Sequence, residues 1–425
     1  MTYRFRTISL PVLFVFALFA SLANAQLQPQ LSVRPTQRVT GHVDRKVVSA
    51  LRGTHPTAVD NAAIGARLSA ATQLQHVVMV LQPSAEQESA LLSLLDSQQD
   101  KNSGNYHKWL TPDTFGQNFG VAPADVAAVS AWLSDSGLTV ENVSRGGRFI
   151  TFSGTVGSVE TAFHTEMHKV TVNGEAHISN TSDVSVPAAL TPVVKGLARL
   201  NDFVPKSQAT QVQKVSVQRN PVVSNSVMLP QPNILAGGGA HYMGPGDLAN
   251  IFNATPLTAA GNTGKGITIA VLARSNISVG DVAAYRSLFG LPTNNPNVIV
   301  VGSDPGVNTD DVEASLDAEM AGSLAPGATV DFIVSSASLV GGGIDEAGLY
   351  AVDNNIGDII TLSYGGCEAN DGASGTGFWN SLWEQAAAQG QTAFVSTGDS
   401  GAAGCAASNA RSAAATTVGV NALGS

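Results

Sequence analysis

Apolar and polar positions change rhythm three times along this 425-residue chain. Residues 10–22 are almost wholly apolar, behind Arg4 and Arg6 and ahead of Ala23-Asn24-Ala25. A short apolar run between a basic start and a small-x-small site is what a signal peptidase reads, and it is short for a membrane span. Residues 1–25 are therefore expected to be removed on export, leaving a secreted protein with no membrane segment. Residues 26–69 are polar without a sustained period and predict an irregular stretch.

A regular pattern begins at His76. Residues 76–81 read as a strand, and 85–98 as a helix with Leu91, Leu92 and Leu95 on one side. A short helix follows around Phe115, then one opened by Pro123 and ended by Gly137. Residues 138–143 and 148–152 form a hairpin through Gly146-Gly147, 156–163 are helical, and 166–172 supply a last strand. The order β-α-β-β-α-β predicts a ferredoxin-like α+β domain over residues 70–205. Residues 206–241, rich in Gln, Ser, Val and Pro and closing on Gly237-Gly238-Gly239, predict a protease-accessible linker.

The third rhythm fills residues 242–425. Near-continuous apolar runs at 267–272, 298–301, 329–334, 358–362 and 392–396 alternate with helical patterns at 279–289, 312–324, 344–354 and 379–389. That alternation predicts a parallel sheet covered by helices on both faces, with ligands gathering at the C-terminal strand ends.

Charge narrows the field. With 22 Lys and Arg against 32 Asp and Glu, the net charge of −10 leaves no basic field for nucleic acid. Cys367 and Cys405, the two cysteines, each follow a predicted strand, and in an exported protein they are expected to form one disulfide at the crevice rim.

All eight histidines precede the parallel-sheet region. A hydrolase built on that sheet lacks a histidine base there, so its base would be a carboxylate, which works best in acid. Glu313 and Asp317 stand four apart, on one face of a helix whose apolar side is expected from Leu316, Met320 and Leu324. Two carboxylates within reach of each other share a proton, and one pKa rises. Ser363-Tyr364-Gly365-Gly366 and Gly398-Asp399-Ser400-Gly401 close neighbouring strands, hanging Asp399 over the crevice, where a protonated carboxyl could donate to an oxyanion.

These segments, together with Tyr106 to Thr111, Trp132-Leu133, Phe152-Ser153-Gly154 and Ala162-Phe163, resemble the sedolisin family of serine-carboxyl peptidases from about His76 onward. The resemblance implies a subtilisin-like fold behind an activation prodomain, with Glu313 as general base, Asp317 as its partner and Asp399 as oxyanion donor. It implies an acid-acting endopeptidase precursor that takes protein or peptide substrates through an acyl-enzyme, with its own prodomain as intramolecular inhibitor. The family's serine lies in Gly-Thr-Ser-x-x-x-Pro, and no Gly-Thr-Ser occurs in this sequence; Ser374-Gly375-Thr376-Gly377 is a near miss. The chain is thus expected to end before its nucleophile and before the family's Ca2+ site, whose ligands would lie beyond Ser425. The alternative is a non-catalytic secreted fragment that binds or inhibits a related peptidase through its prodomain.

Lesser candidates read as structural. Ser400 resembles the nucleophile of chymotrypsin-type proteases, but an all-β context is missing. His107 is expected to pack within its loop, and Glu319 points to another helix face. Asn142, Asn180, Asn253 and Asn276 occupy glycosylation sequons.

Overall fold

A computed structural model of the chain describes residue 29 and residues 31–207, 243–399, 401, 405, 419 and 421–424, with backbone alone for 234–236 and 240–242. The predicted signal peptide, Gly237 to Gly239, most of the predicted linker and Ser400 lie outside the described residues.

The N-terminal half carries a four-stranded antiparallel sheet in the order Thr139–Val143, Phe149–Thr155, Gln73–Leu81, Val194–Leu197. Helices Ala85–Gln99, Pro123–Asp135 and Val156–Phe163 have the boundaries their caps dictate. Ser84 and Gln87 form a capping box, Pro123 sits in a first turn, and Thr155 accepts from the Ser158 N–H. The sheet is ferredoxin-like, but its fourth strand is not the one expected. Met167–Val172 joins Ala63–Arg67 and Glu175–Asn180 in a separate three-stranded sheet, and Val194–Leu197 takes the fourth place. Val194–Leu197 is four residues long and interrupted by Gly196, so it carries too little period to read. Ala63–Arg67, within the stretch expected to be irregular, is exposed along its whole length and has no buried alternation.

The central strand is apolar on both faces for a reason visible in its packing. Val77, Met79 and Leu81 point into the domain's own core, with Trp132, Phe152 and Phe163. Val78 and Val80 point the other way and pack with Phe149, Phe378, Trp379 and Leu382. The second sheet face is thus buried against the second half of the chain.

That half is a five-stranded, all-parallel sheet. Its strands are β1 (Thr268–Ala273), β2 (Asn297–Val301), β3 (Thr329–Ser335), β4 (Ile359–Leu362) and β5 (Thr392–Val395), in spatial order β2-β3-β1-β4-β5. Helices α1 (Val279–Leu288), α2 (Asp311–Ala321), α3 (Gly343–Asp353) and α4 (Glu368–Ala388) alternate with them. The architecture matches the predicted α/β class. Helix α4 starts eleven residues earlier than its pattern suggests and is broken at Gly372, whose φ of 68° an L side chain rarely adopts.

Candidate active site

Helix α2 presents the candidate carboxylates. Asp311 and Glu313 lie in its first turn, where the helix dipole favours negative charge. The buried side of α2 is not the expected Leu316–Met320 stripe. Ala314 and Ala318 face the core, and these small residues let α2 lie close on β1 and β3. Glu313, only 6% exposed, and Asp317, one turn later, are thereby held at the C-terminal ends of the strands.

Each carboxylate bonds a serine rather than the other carboxylate. Asp317 Oδ1 accepts from Ser363 Oγ at 2.7 Å, and its Oδ2 is sealed from solvent with no hydrogen-bond partner. Glu313 Oε2 accepts from Ser207 Oγ at 2.5 Å. Burial raises both carboxyl groups above their usual range. For Asp317 the charge of Glu313 adds to burial against the Ser363 bond, pushing it up to about 7. For Glu313 the charges of Asp399 and Asp310 add to burial against the Ser207 bond. Asp399, beyond the end of β5, is thus close enough for Glu313 to feel its charge. Of the sequence-predicted trio, Glu313 is thus within electrostatic reach of both Asp317 and Asp399.

The cleft is occupied by the chain itself. Residues Lys206–Ser207, just past the N-terminal domain, pair antiparallel with Tyr364–Gly365 beyond β4: Lys206 opposite Gly365, Ser207 opposite Tyr364. This pairing sets the Ser207 hydroxyl on Glu313. A short strand of tail thus runs beside the Glu313 carboxylate.

The family model for the pro-kumamolisin activation domain matches residues 60–203, the segment that ends just before this tail. Xanthomonalisin of Xanthomonas sp. (strain T-22) is 30% identical over 86% of this chain and 42% of its own length. Sedolisin of Pseudomonas sp. (strain 101) is 29% identical over 79% of this chain and 56% of its own length. The chain is similar to sedolisin-type peptidases over most of its length. It spans about half the length of these curated relatives. A solved structure of Pseudomonas sedolisin complexed with two molecules of pseudo-iodotyrostatin overlaps 34% of this chain and 42% of that chain, at 27% identity and a TM-score of 0.28, too partial to bear on the fold.

Three polar contacts between the halves of the chain escaped the sequence reading. Arg199, buried at the end of the prodomain sheet, donates to Asp345 at 3.1 Å, to Asp371 at 2.5 Å and to the Phe203 carbonyl at 2.9 Å. Arg148, fully buried, donates to Glu384 at 2.7 Å and to the Phe119 carbonyl at 3.0 Å. The hairpin amides of Arg145 and Gly146 donate to the Asp353 carboxylate at the C-terminus of α3, at 2.8 and 2.9 Å. Burial, foremost, holds Asp353, Asp371 and Glu384 above the usual carboxylate range against these donors. A lone Arg beside apolar residues gives no sequence signal of such a role; only the fold brings its partners, some 150 to 240 positions away, into reach.

The near-miss Ser374-Gly375-Thr376-Gly377 serves the same interface. A Cβ on Gly375 would meet the Ala198 carbonyl at 3.0 Å, and one on Gly377 would meet Lys195 Nζ at 2.6 Å. These glycines let the prodomain strand Val194–Leu197 approach α4. Cys367 and Cys405 are joined, tying the start of α4 to the segment after Asp399. Among the described residues no group of three or more His, Cys, Asp or Glu is placed to hold a metal ion, so none is assigned to the family's calcium. No helix among them is long and apolar enough to cross a membrane.

His107 stacks between Tyr106 and Trp109, at centroid distances of 3.8 and 5.4 Å. The sequon at Asn180 is closed to a glycan, because its buried side chain donates to the Thr54 and Ser182 carbonyls. Asn276 donates to Asp304, and Asn142 is exposed. The Glu319 carbonyl accepts from Ser323, and its charge is close enough for Tyr285 to feel it.

Proposed function

We propose that the chain carries the prodomain and the carboxylate apparatus of a secreted, acid-acting serine-carboxyl endopeptidase that hydrolyses peptide bonds in proteins. In this reading residues 70–205 are the inhibitory prodomain, 206–241 the activation linker and 242–425 the N-terminal part of the peptidase domain. The observation that supports it best is the prodomain tail paired with Tyr364–Gly365, its Ser207 hydroxyl on Glu313 Oε2. A serine hydroxyl within hydrogen-bond reach of a buried carboxylate is the geometry a general base needs. The inhibitor tail stands there in place of a nucleophile and substrate.

The chemistry follows from the protonation order. Asp317, raised to about 7, is neutral in acid, and Glu313 in its ionised form is the group proposed to act as base. Glu313 would take the proton of a serine hydroxyl, supplied by a Gly-Thr-Ser segment not found among these residues, as its oxygen attacks the substrate carbonyl. Asp399, when protonated, would donate to the oxyanion. Collapse breaks the C–N bond, Glu313 returns its proton to the leaving amine, and water repeats the sequence on the acyl-enzyme.

The test is turnover of a protein substrate by the gene product extended through a Gly-Thr-Ser segment. Activity with an acid optimum is expected, and Glu313→Gln and Asp399→Asn should each lower it by about a hundredfold or more. An optimum near neutrality, or an active Glu313→Gln variant, would remove Glu313 as base.

A further inference from the structure

We propose that Arg274 and Gly342 form a peptide-binding subsite of the cleft, holding Pro205 in the precursor and the corresponding residue of a substrate once the tail has left. The extension to substrates rests on the peptidase reading above. Arg274 is the first residue past the end of β1, and its Nη1 donates to the carbonyl oxygen of Pro205. Its Nε makes no hydrogen bond, standing 3.5 Å from Asp310 Oδ2. The Arg274 backbone is pinned from the facing loop, where Asn308 Nδ2 donates to the Arg274 carbonyl at 2.9 Å and the Asn308 N–H donates to Ser275 Oγ at 3.0 Å. The other wall is Gly342, ahead of α3. A Cβ there would meet Pro205 Cδ at 3.4 Å and Asp345 Oδ2 at 3.1 Å, so glycine leaves just the room the proline ring takes.

Register turns this contact into a rule for peptides. Pro205 lies two residues before Ser207, and Ser207 is fixed over Glu313 by its pairing with Tyr364. A peptide that replaces the tail on the same strand therefore offers Arg274 the carbonyl two residues before the one over Glu313. The contact is to the main chain, so it selects an extended backbone, while the Gly342 wall admits proline or another compact residue. The Arg274 guanidinium stays charged across the acid range, so it keeps its hold where the enzyme would work.

The primary experiment needs no turnover. Hydrogen exchange of the intact 425-residue chain is followed by mass spectrometry for wild type, Arg274→Lys and Arg274→Ala. The segment around Lys206 and Ser207 should exchange about tenfold faster in Arg274→Ala, the scale of one hydrogen bond to a charged group, and by less in Arg274→Lys. Protection of Thr268–Ala273 and of α2 should not change. If Arg274→Ala loosens those elements too, Arg274→Met, which keeps the stem, decides the matter. Unchanged exchange of the tail in the variant that keeps β1 and α2 protected would overturn the subsite. The second readout is kinetic, in the extended gene product. Arg274→Ala should raise KM about tenfold or more with little change in kcat, most for substrates with proline at the matching position. A fall in kcat with KM unchanged would overturn the substrate role. A wild type without any turnover would instead sink the peptidase reading and leave the exchange result standing.

Discussion

Ser207 gives its hydroxyl to Glu313 across 106 positions of sequence, joining the end of the prodomain to the carboxylate proposed as the base. The contact gives the tail two roles at once. It pairs with Tyr364–Gly365, the edge proposed to take a substrate, and it opposes the rise in the Glu313 pKa that burial and the neighbouring acids impose. Release of the tail removes that bond and admits solvent to the carboxyl, two changes that act on its pKa in opposite directions.

Asp317 is expected to titrate well above the usual aspartate range. Carboxyl-carbon NMR of the intact chain should show one aspartate with a pKa of about 7, absent in Asp317→Asn. Because the charge of Glu313 contributes, Glu313→Gln should move it down. Since Asp317 is neutral in acid, Asp317→Asn should cost the extended enzyme less than Asp317→Ala. Equal losses would argue for an ionised partner.

Acid should loosen the prodomain from within rather than at its interface. Asp353, Asp371 and Glu384 are raised in the docked state, so docking binds protons and these groups favour it as pH falls. Glu160 and Asp183 are held below their usual values. Burial would raise both, but Arg67 and the Met167 N–H outweigh it for Glu160, as His55 and the N–H groups of residues 53–55 do for Asp183. A carboxyl depressed in this way adds stability above its unfolded pKa of about 4 and loses it as pH falls through the folded value. Exchange protection in Ala63–Arg67 and Met167–Val172 should therefore fail first below about pH 4, and Glu160→Gln should flatten that pH dependence. An unaltered pH profile in Glu160→Gln would contradict this route.

Removal of Arg199 should be costly. Arg199→Leu leaves Asp345 and Asp371 buried side by side without their cation, and such a loss destabilises by about 3–5 kcal/mol. Denaturant unfolding is the measurement. A midpoint unchanged from wild type would show that one of the two aspartates is already protonated and self-sufficient.

The layers of the fold were legible in the sequence wherever a period survives packing. The parallel strands are buried on both sides and read as solid apolar runs, and the prodomain helices announce their own caps. Val194–Leu197 and Ala63–Arg67 escaped because one is short and broken by glycine and the other has no buried side. At the site, Glu313 and Asp317 could be paired by helical spacing and Asp399 placed by its strand end. Their serine partners could not. Ser363 and Ser207 reach them only through the parallel sheet and the returning tail, 46 and 106 positions away. The Arg199 and Arg148 contacts were hidden for the same reason, since a buried arginine declares itself only by its partners.

The disulfide should stiffen the far side of the cleft. Cys367–Cys405 closes a separation of 38 residues, worth about 4 kcal/mol in the chain-entropy model. Cys405→Ser should lower thermal stability and increase exchange around Gly398 and Asp399. Both thiols alkylating without reductant would contradict the pairing.

The most direct test of the central claim is acid-triggered self-processing of the gene product extended through a Gly-Thr-Ser segment, read by N-terminal sequencing. In the wild type the account predicts a new N-terminus between Lys206 and Met243 in acid and none at neutral pH, with Glu313→Gln remaining intact throughout. A Glu313→Gln precursor that processes itself at the wild-type rate, or a first cut inside residues 76–203, would contradict it.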